Sequence, residues 1–280
     1  MRYHLFCLFL FIWSGSIAQY SLGENRIKSI KNSTVKILID GIQSGTGFFI
    51  SDKGEVLTCF HVVFSESLRI ENQKIVSKIQ VATQENRIVD AIIPEYYRHK
   101  GLDNARIYDY CLLNIPITGD NSNVSFLKLG NFNDVKEGDW VISCGYPQKI
   151  HTPFISSGLF STKWVDTVKL TNQTESVTIH RNVAWLDLTL NPGNSGGPVI
   201  LLGETVDDDR VIGIASFILN PYARNAKALL VHAIESRKNI KMSYNGLNQI
   251  DINALLSEAI ANNSIGVSGC ISIEYFKQTR

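Results

Sequence analysis

Apolar residues fall in short runs separated by Asp, Asn, Gly and Ser along most of the chain. Thr34–Ile39 (TVKILI) alternates apolar with polar positions and stops at the turn pair Asp40-Gly41, the pattern of a strand. Gly47–Ile50 is followed by Ser51-Asp52-Lys53-Gly54, and Glu55–Cys59 returns, which predicts a hairpin with Gly54 free to take positive φ. Further strands are predicted over Val76–Thr83, Arg87–Ile93, Tyr108–Ile115, Trp140–Cys144, Ile155–Trp164, Val177–Leu190, Val199–Leu202, Val211–Ile218 and Ala228–Ile234. About a dozen strands at such short intervals predict a sandwich or barrels rather than βαβ units. The polar loop Thr118–Val124 (TGDNSNV) leaves roughly half of the strands on each side and is the predicted boundary between halves. Only Asp251–Asn262 (DINALLSEAIAN) has helical spacing, with Ile252, Leu255, Leu256, Ala259 and Ile260 on one face and Asp251 as N-cap.

The head of the chain breaks this pattern. Arg2 precedes the apolar run Leu5–Trp13 (LFCLFLFIW), and Ser16-Ile17-Ala18 ends it with small residues. That is the layout of a secretory signal over residues 1–18, and the run is shorter than the roughly 20 residues that span a bilayer. The reading implies an exported product, periplasmic or extracellular, cut near Ala18 and free of the membrane afterwards. The charge of the full chain is nearly balanced, 27 Lys and Arg against 26 Asp and Glu in 280 residues, so nothing electrostatic favours a nucleic acid or an anionic surface. Cys59, Cys111, Cys144 and Cys270 remain after cleavage. They are too sparse for a disulfide framework, and their possible pairings stay open. No Cys/His spacing matches a zinc site, and no metal or other cofactor is expected.

The chemistry concentrates at Asn191-Pro-Gly-Asn-Ser-Gly-Gly-Pro198, where small and turn-forming residues surround one serine between two apolar strands. A nucleophilic hydroxyl needs a sharp exposed loop, and the oxyanion it generates needs unobstructed backbone N–H groups. Ser195 fits the first requirement; the N–H groups of Gly193 and Ser195 fit the second. Upstream, His61 directly follows the hydrophobic run of Val56–Phe60, where an active-site base would sit. Asp109 opens the apolar run Asp-Tyr-Cys-Leu-Leu-Asn-Ile115; a buried carboxylate needs a donor, and a histidine N–H is one. The order His61, Asp109, Ser195 is that of the two-barrel chymotrypsin-type proteases.

The chain resembles trypsin-like serine proteases, and within them the HtrA/Deg group. The matching residues are GTGFFIS (Gly45–Ser51), VLTCFHVV (Val56–Val63), DYCLLNI (Asp109–Ile115), SCGYP (Ser143–Pro147), SSGLFS (Ser156–Ser161), NPGNSGGPV (Asn191–Val199) and VIGI (Val211–Ile214). The resemblance implies two six-stranded antiparallel β-barrels with a C-terminal helix. The first barrel would span about residues 30–122 and the second about 123–236 of a protease domain covering 19–236. A tail over 237–280 would hold one amphipathic helix. It further implies a serine endopeptidase acting on polypeptide substrates. His61 would be base and then acid, Asp109 its orienting partner, Ser195 the nucleophile, and Gly193 and Ser195 the oxyanion donors.

The resemblance has departures. Asn194 stands where digestive enzymes carry Asp, so activation by a freed N-terminus is not expected, and no stretch reads as the PDZ domain that commonly follows HtrA protease domains. It places Thr189, Leu190, Ile214, Ala215, Ser216 and the strand with His232 around the pocket for the residue preceding the cut. Leu190 and Ile214, with no Asp at the pocket base, imply a small apolar residue there. His232 keeps an acidic preference as the alternative, since glutamyl endopeptidases read an acidic residue with a pocket histidine. A catalytically inactive binding module on the same fold is a second alternative. The G-x-S-x-G match at Gly193–Gly197 also fits an α/β-hydrolase elbow, but Pro198 and the strand Val199–Leu202 stand where that elbow needs a helix. Nothing in the sequence fixes the oligomeric state.

Overall fold

The computed structural model describes residues 22–72, 74–95, 102–117, 124–148, 150–171, 176–218, 243–244, 247–248 and 267–279. The signal-like head, the predicted strand Ala228–Ile234 and the predicted helix Asp251–Asn262 lie outside them. The chain enters through helix α1 (Glu24–Ser33). Strands β1 (Thr34–Ile39), β2 (Ile42–Phe49) and β3 (Glu55–Thr58) then form a meander. A one-turn helix α2 (Phe60–Val63) and a small hairpin of β4 (Ile70–Glu71) and β5 (Lys74–Ile75) follow. Next come β6 (Ile79–Ala82), β7 (Ile88–Asp90), a short helix Leu102–Tyr108 and β8 (Cys111–Asn114).

These six longer strands form one antiparallel sheet in the order β7-β6-β1-β2-β3-β8. Its two edges curl together just past β7, where Ile92 and Asn114 exchange two backbone hydrogen bonds of 2.9 and 2.8 Å. The second unit is a closed barrel in the order β10-β11-β16-β13-β12-β9. Its strands are β9 (Trp140–Gly145), β10 (Phe154–Thr171), β11 (Ser176–Asp187), β12 (Pro198–Leu201), β13 (Arg210–Ile218) and β16 (Val267–Ser272). A minimal hairpin of β14 (Ser243–Tyr244) and β15 (Leu247–Asn248) lies between β13 and β16 in the chain. The final helix is Glu274–Thr279. The architecture is the expected all-β pair of six-stranded units. The strand that closes the second barrel, however, comes from the stretch 237–280 that the sequence alone sets apart as a tail.

Strand periodicity explains how the barrels meet. Along β9 and β12, Val141 and Val199 point into the second barrel, packing with Phe132, Phe160 and Leu186. Their neighbours Ile142 and Ile200 point out and join the first barrel's core with Val35, Leu57 and Leu113. One continuous apolar layer therefore runs from the first barrel into the seam between the two. β1 is buried at all six positions rather than alternating, because helix α1 and β9 cover its outer face. Even Lys36 is only 8% exposed, its ammonium 5.1 Å from the centre of the Tyr146 ring.

Candidate active site

His61 follows β3 and Asp109 precedes β8, at the same end of two neighbouring strands of the first barrel. β3 ends at Thr58, Cys59 caps α2, and His61 sits in the first turn of that helix. β8 pairs with β3 from Cys111 opposite Thr58, so Asp109, two residues before β8, lies beside His61. The intervening helix Leu102–Tyr108 replaces the early part of the strand predicted over Tyr108–Ile115. Asp109 takes φ 54°, a left-handed conformation that Asp tolerates better than most residues. That turn aims its carboxylate at His61. Nδ1 lies 2.9 Å from both Oδ1 and Oδ2, and the His61 backbone N–H donates to Oδ1 at 3.1 Å.

Ser216 supplies the remaining partner from the second barrel, its hydroxyl donating to Asp109 Oδ2. The register explains its aim: Ala215 pairs with Cys270 and Phe217 with Gly269, so Ser216 is the extra residue of a β-bulge. Burial works against ionisation of Asp109, but the bonds from His61 and Ser216 outweigh it and hold the carboxyl below its ordinary range. Facing only carboxylate oxygens, Nδ1 carries the proton, which leaves Nε2 as the basic nitrogen. Half of the His61 side chain stays exposed, against 14% for Asp109.

The Ser195 loop is held where the two barrels touch. Thr46 of β2 donates its N–H to the Ser195 carbonyl at 2.9 Å, and its hydroxyl donates to the Gly193 carbonyl at 2.7 Å while accepting from Tyr146 N–H at 2.9 Å. From the second barrel, Ala215 accepts from Gly196 N–H at 2.7 Å and donates to Gly197 at 2.9 Å. Gly45 lets the serine loop meet the histidine helix. A Cβ there would lie 2.9 Å from the Ser195 carbonyl oxygen and 2.7 and 2.8 Å from the two methyls of Val62.

Gly193 has φ 99°, and a Cβ on it would come within 2.5 Å of the Tyr146 carbonyl oxygen. The Pro192 carbonyl accepts from Gln148 N–H at 2.8 Å, so the N–H on the other side of that trans peptide, belonging to Gly193, points the opposite way. Among the described residues, neither the Gly193 nor the Ser195 N–H has an acceptor. This is the condition an oxyanion pocket needs.

Of the residues expected around the specificity pocket, Thr189 is exposed, while Leu190 and Ala215 are buried in the second barrel's core and Ile214 in the seam. Ser216 points to Asp109, and His232 lies outside the described residues. The strand bonded to β13 there is β16, and its Ser268 donates to the Leu188 carbonyl at 2.9 Å and accepts from Leu190 N–H at 3.1 Å. That hydroxyl braces the approach to the serine loop. No motif marks Ser268 in the sequence, and although Thr46 lies in GTGFFIS and Ser216 beside the expected pocket, only the register shows what their hydroxyls hold.

Cys59, His61 and Asp109 bring a sulfur, a nitrogen and a carboxylate within 4.8 Å of one another, a possible donor set for a metal. The Cys59 thiol is fully buried and donates to the Ala215 carbonyl at 3.3 Å. Burial, then the Asp109 charge, push its pKa far up, so it is a thiol and a poor ligand. All four described cysteines are free and buried.

Residues 45–214, more than half of the chain, match the family model described as a trypsin-like peptidase domain. The chain belongs to that family. Among curated relatives of this trypsin-like peptidase, a probable periplasmic serine endoprotease DegP-like from Rickettsia conorii is 29% identical over 181 residues, 65% of this chain and 30% of that one. The similarly named protein of Rickettsia prowazekii is 28% identical over 66% of the chain, and the human serine protease HTRA4 27% over 62%. The aligned part is thus about a third of those relatives' length. Among solved structures, the HtrA-type protease AlgW with a decapeptide superimposes with a TM-score of 0.52 at 15% identity, covering 91% of this chain and 65% of that one. The same protease with a tripeptide gives 0.52 at 17%, with 91% and 60% covered. These likenesses show the two-barrel fold. Among the described residues, no helix is long and apolar enough to cross a membrane.

Proposed function

We propose that the protein is a serine endopeptidase that cleaves polypeptides through His61, Asp109 and Ser195. The observation that carries this reading is the grip of Asp109 on His61, both carboxylate oxygens 2.9 Å from Nδ1, in a chain whose Ser195 loop is pinned to the same seam. His61 Nε2 takes the proton of Ser195 Oγ as that oxygen attacks the scissile carbonyl. Asp109 supports the imidazolium that forms, without itself taking the proton. The Gly193 and Ser195 N–H groups receive the oxyanion. His61 then protonates the leaving amine, and water, deprotonated by the same nitrogen, releases the acyl group and regenerates Ser195.

A small apolar residue before the scissile bond is the favoured specificity. It is supported by the absence of an acid among Thr189, Leu190, Ile214, Ala215 and Ser216, which leaves no group there to select a cation. Export to the periplasm or the cell exterior, with cleavage near Ala18, is supported by the signal-like head and by the names of the rickettsial relatives. A fluorophosphonate probe should label the wild-type chain and leave Ser195→Ala unlabelled. Well-folded wild type that resists the probe would refute the reading in favour of an inactive binding module.

A further inference from the structure

Asp109 is gripped from both sides by one distant element. Its predecessor, Tyr108, stacks face to face on Tyr275 of the final helix, ring centroids 3.9 Å apart and planes within 8°. Its successor, Tyr110, meets the next residue of that helix, Phe276, edge to face at 5.9 Å, and both rings are 1% exposed. Asp109 itself holds a left-handed φ of 54°, a conformation that persists only where the surroundings fix it. The helix is in turn anchored on the second barrel. The Tyr275 hydroxyl accepts the N–H of Asn182 on β11, Glu274 accepts from Phe132 N–H at 3.2 Å, and Lys277 donates to the Gly130 carbonyl at 3.1 Å.

We infer that the final helix is a positioning element for the Asp109–His61 pair, with Tyr275 as its key residue, an inference that rests on the proposed peptidase reading. The stack on Tyr108 fixes the entry to the left-handed turn, the Phe276 contact fixes its exit, and together they set where the carboxylate points. Loss of the stack lets the turn relax toward commoner backbone conformations and moves the carboxylate off Nδ1. A displacement of about 1 Å at such a pair costs on the order of 100-fold in rate.

The test uses the full chain with Tyr275→Ala, Tyr275→Leu and Tyr275→Phe, and three measurements. The first is the proton resonance of the His61–Asp109 hydrogen bond, which needs no turnover. The second is kcat and KM on a peptide substrate; the third is the pH profile of kcat/KM. In the Leu and Ala variants the resonance should leave its low-field position, and kcat should fall about 10- to 100-fold with KM unchanged. The acid limb should move to lower pH, because the imidazolium loses its carboxylate support. Tyr275→Phe keeps the ring and should keep the wild-type resonance and acid limb. Tyr275→Leu retains apolar bulk and serves if the alanine variant does not fold. A folded Leu or Ala variant with the wild-type resonance and pH profile overturns the inference. So does a Phe variant as impaired as the Leu variant. A wild-type chain that resists the fluorophosphonate probe defeats the peptidase reading alone, since the resonance still reports on the clamp.

Discussion

The Thr46 hydroxyl lies 2.7 Å from the Gly193 carbonyl oxygen, so a residue of the first barrel orients the loop that carries Ser195 on the second. The same hydroxyl accepts from Tyr146 N–H, and Thr46 is completely buried. A buried group that both donates and accepts leaves two orphans when it is removed.

Thr46→Val keeps the shape and deletes the hydroxyl. It should destabilise the protein by about 1–3 kcal/mol for each orphaned group. The fall in kcat/KM should exceed what the fraction unfolded explains, because the Gly193 peptide is no longer held. Thr46→Ser should restore both. Thermal unfolding with steady-state kinetics separates the two effects, and a valine variant with wild-type kcat would refute the role.

The pH dependence follows from Asp109. Its carboxyl lies below the ordinary value of 3.8 in the folded protein, so the unfolded chain binds the proton more readily. The resulting stability is complete above the ordinary carboxylate range and is lost as pH falls through the lower folded value. Asp109→Asn should therefore cost most stability near about pH 6 and progressively less toward about pH 3. Urea midpoints of the two proteins across that range should converge on acidification. The same substitution should lower kcat by about four orders of magnitude through the wrong His61 tautomer.

Arg26 on α1 reaches Asp209 beside β13 at 2.9 Å and the Gly203 carbonyl at 2.8 Å, with both charged side chains less than a tenth exposed. Arg26→Met strands a buried carboxylate and should destabilise by about 3–5 kcal/mol, whereas replacing both partners with apolar residues should cost clearly less. Denaturant unfolding of the two single variants and the double variant measures the coupling, and additive losses would show that the pair does not act as a unit.

The four described cysteines are unpaired and buried, and burial pushes Cys144 up to about 11 and Cys270 up to about 12. A thiol reagent should react slowly with the native protein and promptly once it is unfolded. Reductant should leave Tm unchanged; a lower Tm under reducing conditions would reveal a disulfide.

Much of this was legible in the residues. The strands read from alternation and turn pairs coincide with β1 and lie close to β3, β6, β7, β9, β12 and β13, because each holds a short apolar run bounded by polar or turn-forming residues, whereas only the second half of β2 was foreseen. Helix α1 was not, since ENRIKSIKNS offers only Ile27 and Ile30 as apolar residues and completes its buried face with Arg26 and Ser33. β16, VSGCIS, was missed for a related reason: its small residues carry little apolar signal, and its burial comes from neighbours far away in the chain. His61, Asp109 and Ser195 could be nominated from local motifs. The partners that hold them, Thr46, Ser216 and Tyr275, act across strand registers and ring contacts that no single segment encodes.

The late position of β16 also sets when the proposed site can be completed. While the chain is being made, β11 and β13 have no partner between them, because the stave that joins them follows β13 only after the stretch from Ile218 to Val267. The bulge that turns Ser216 onto Asp109 needs β16, and the helix that grips Tyr108 and Tyr110 comes later still. Long-range pairing of this kind is slow. A chain that stops before β16 therefore holds every residue of the proposed triad and lacks the strand and helix that position Ser216 and Asp109, so the completed barrel is the condition for an assembled site.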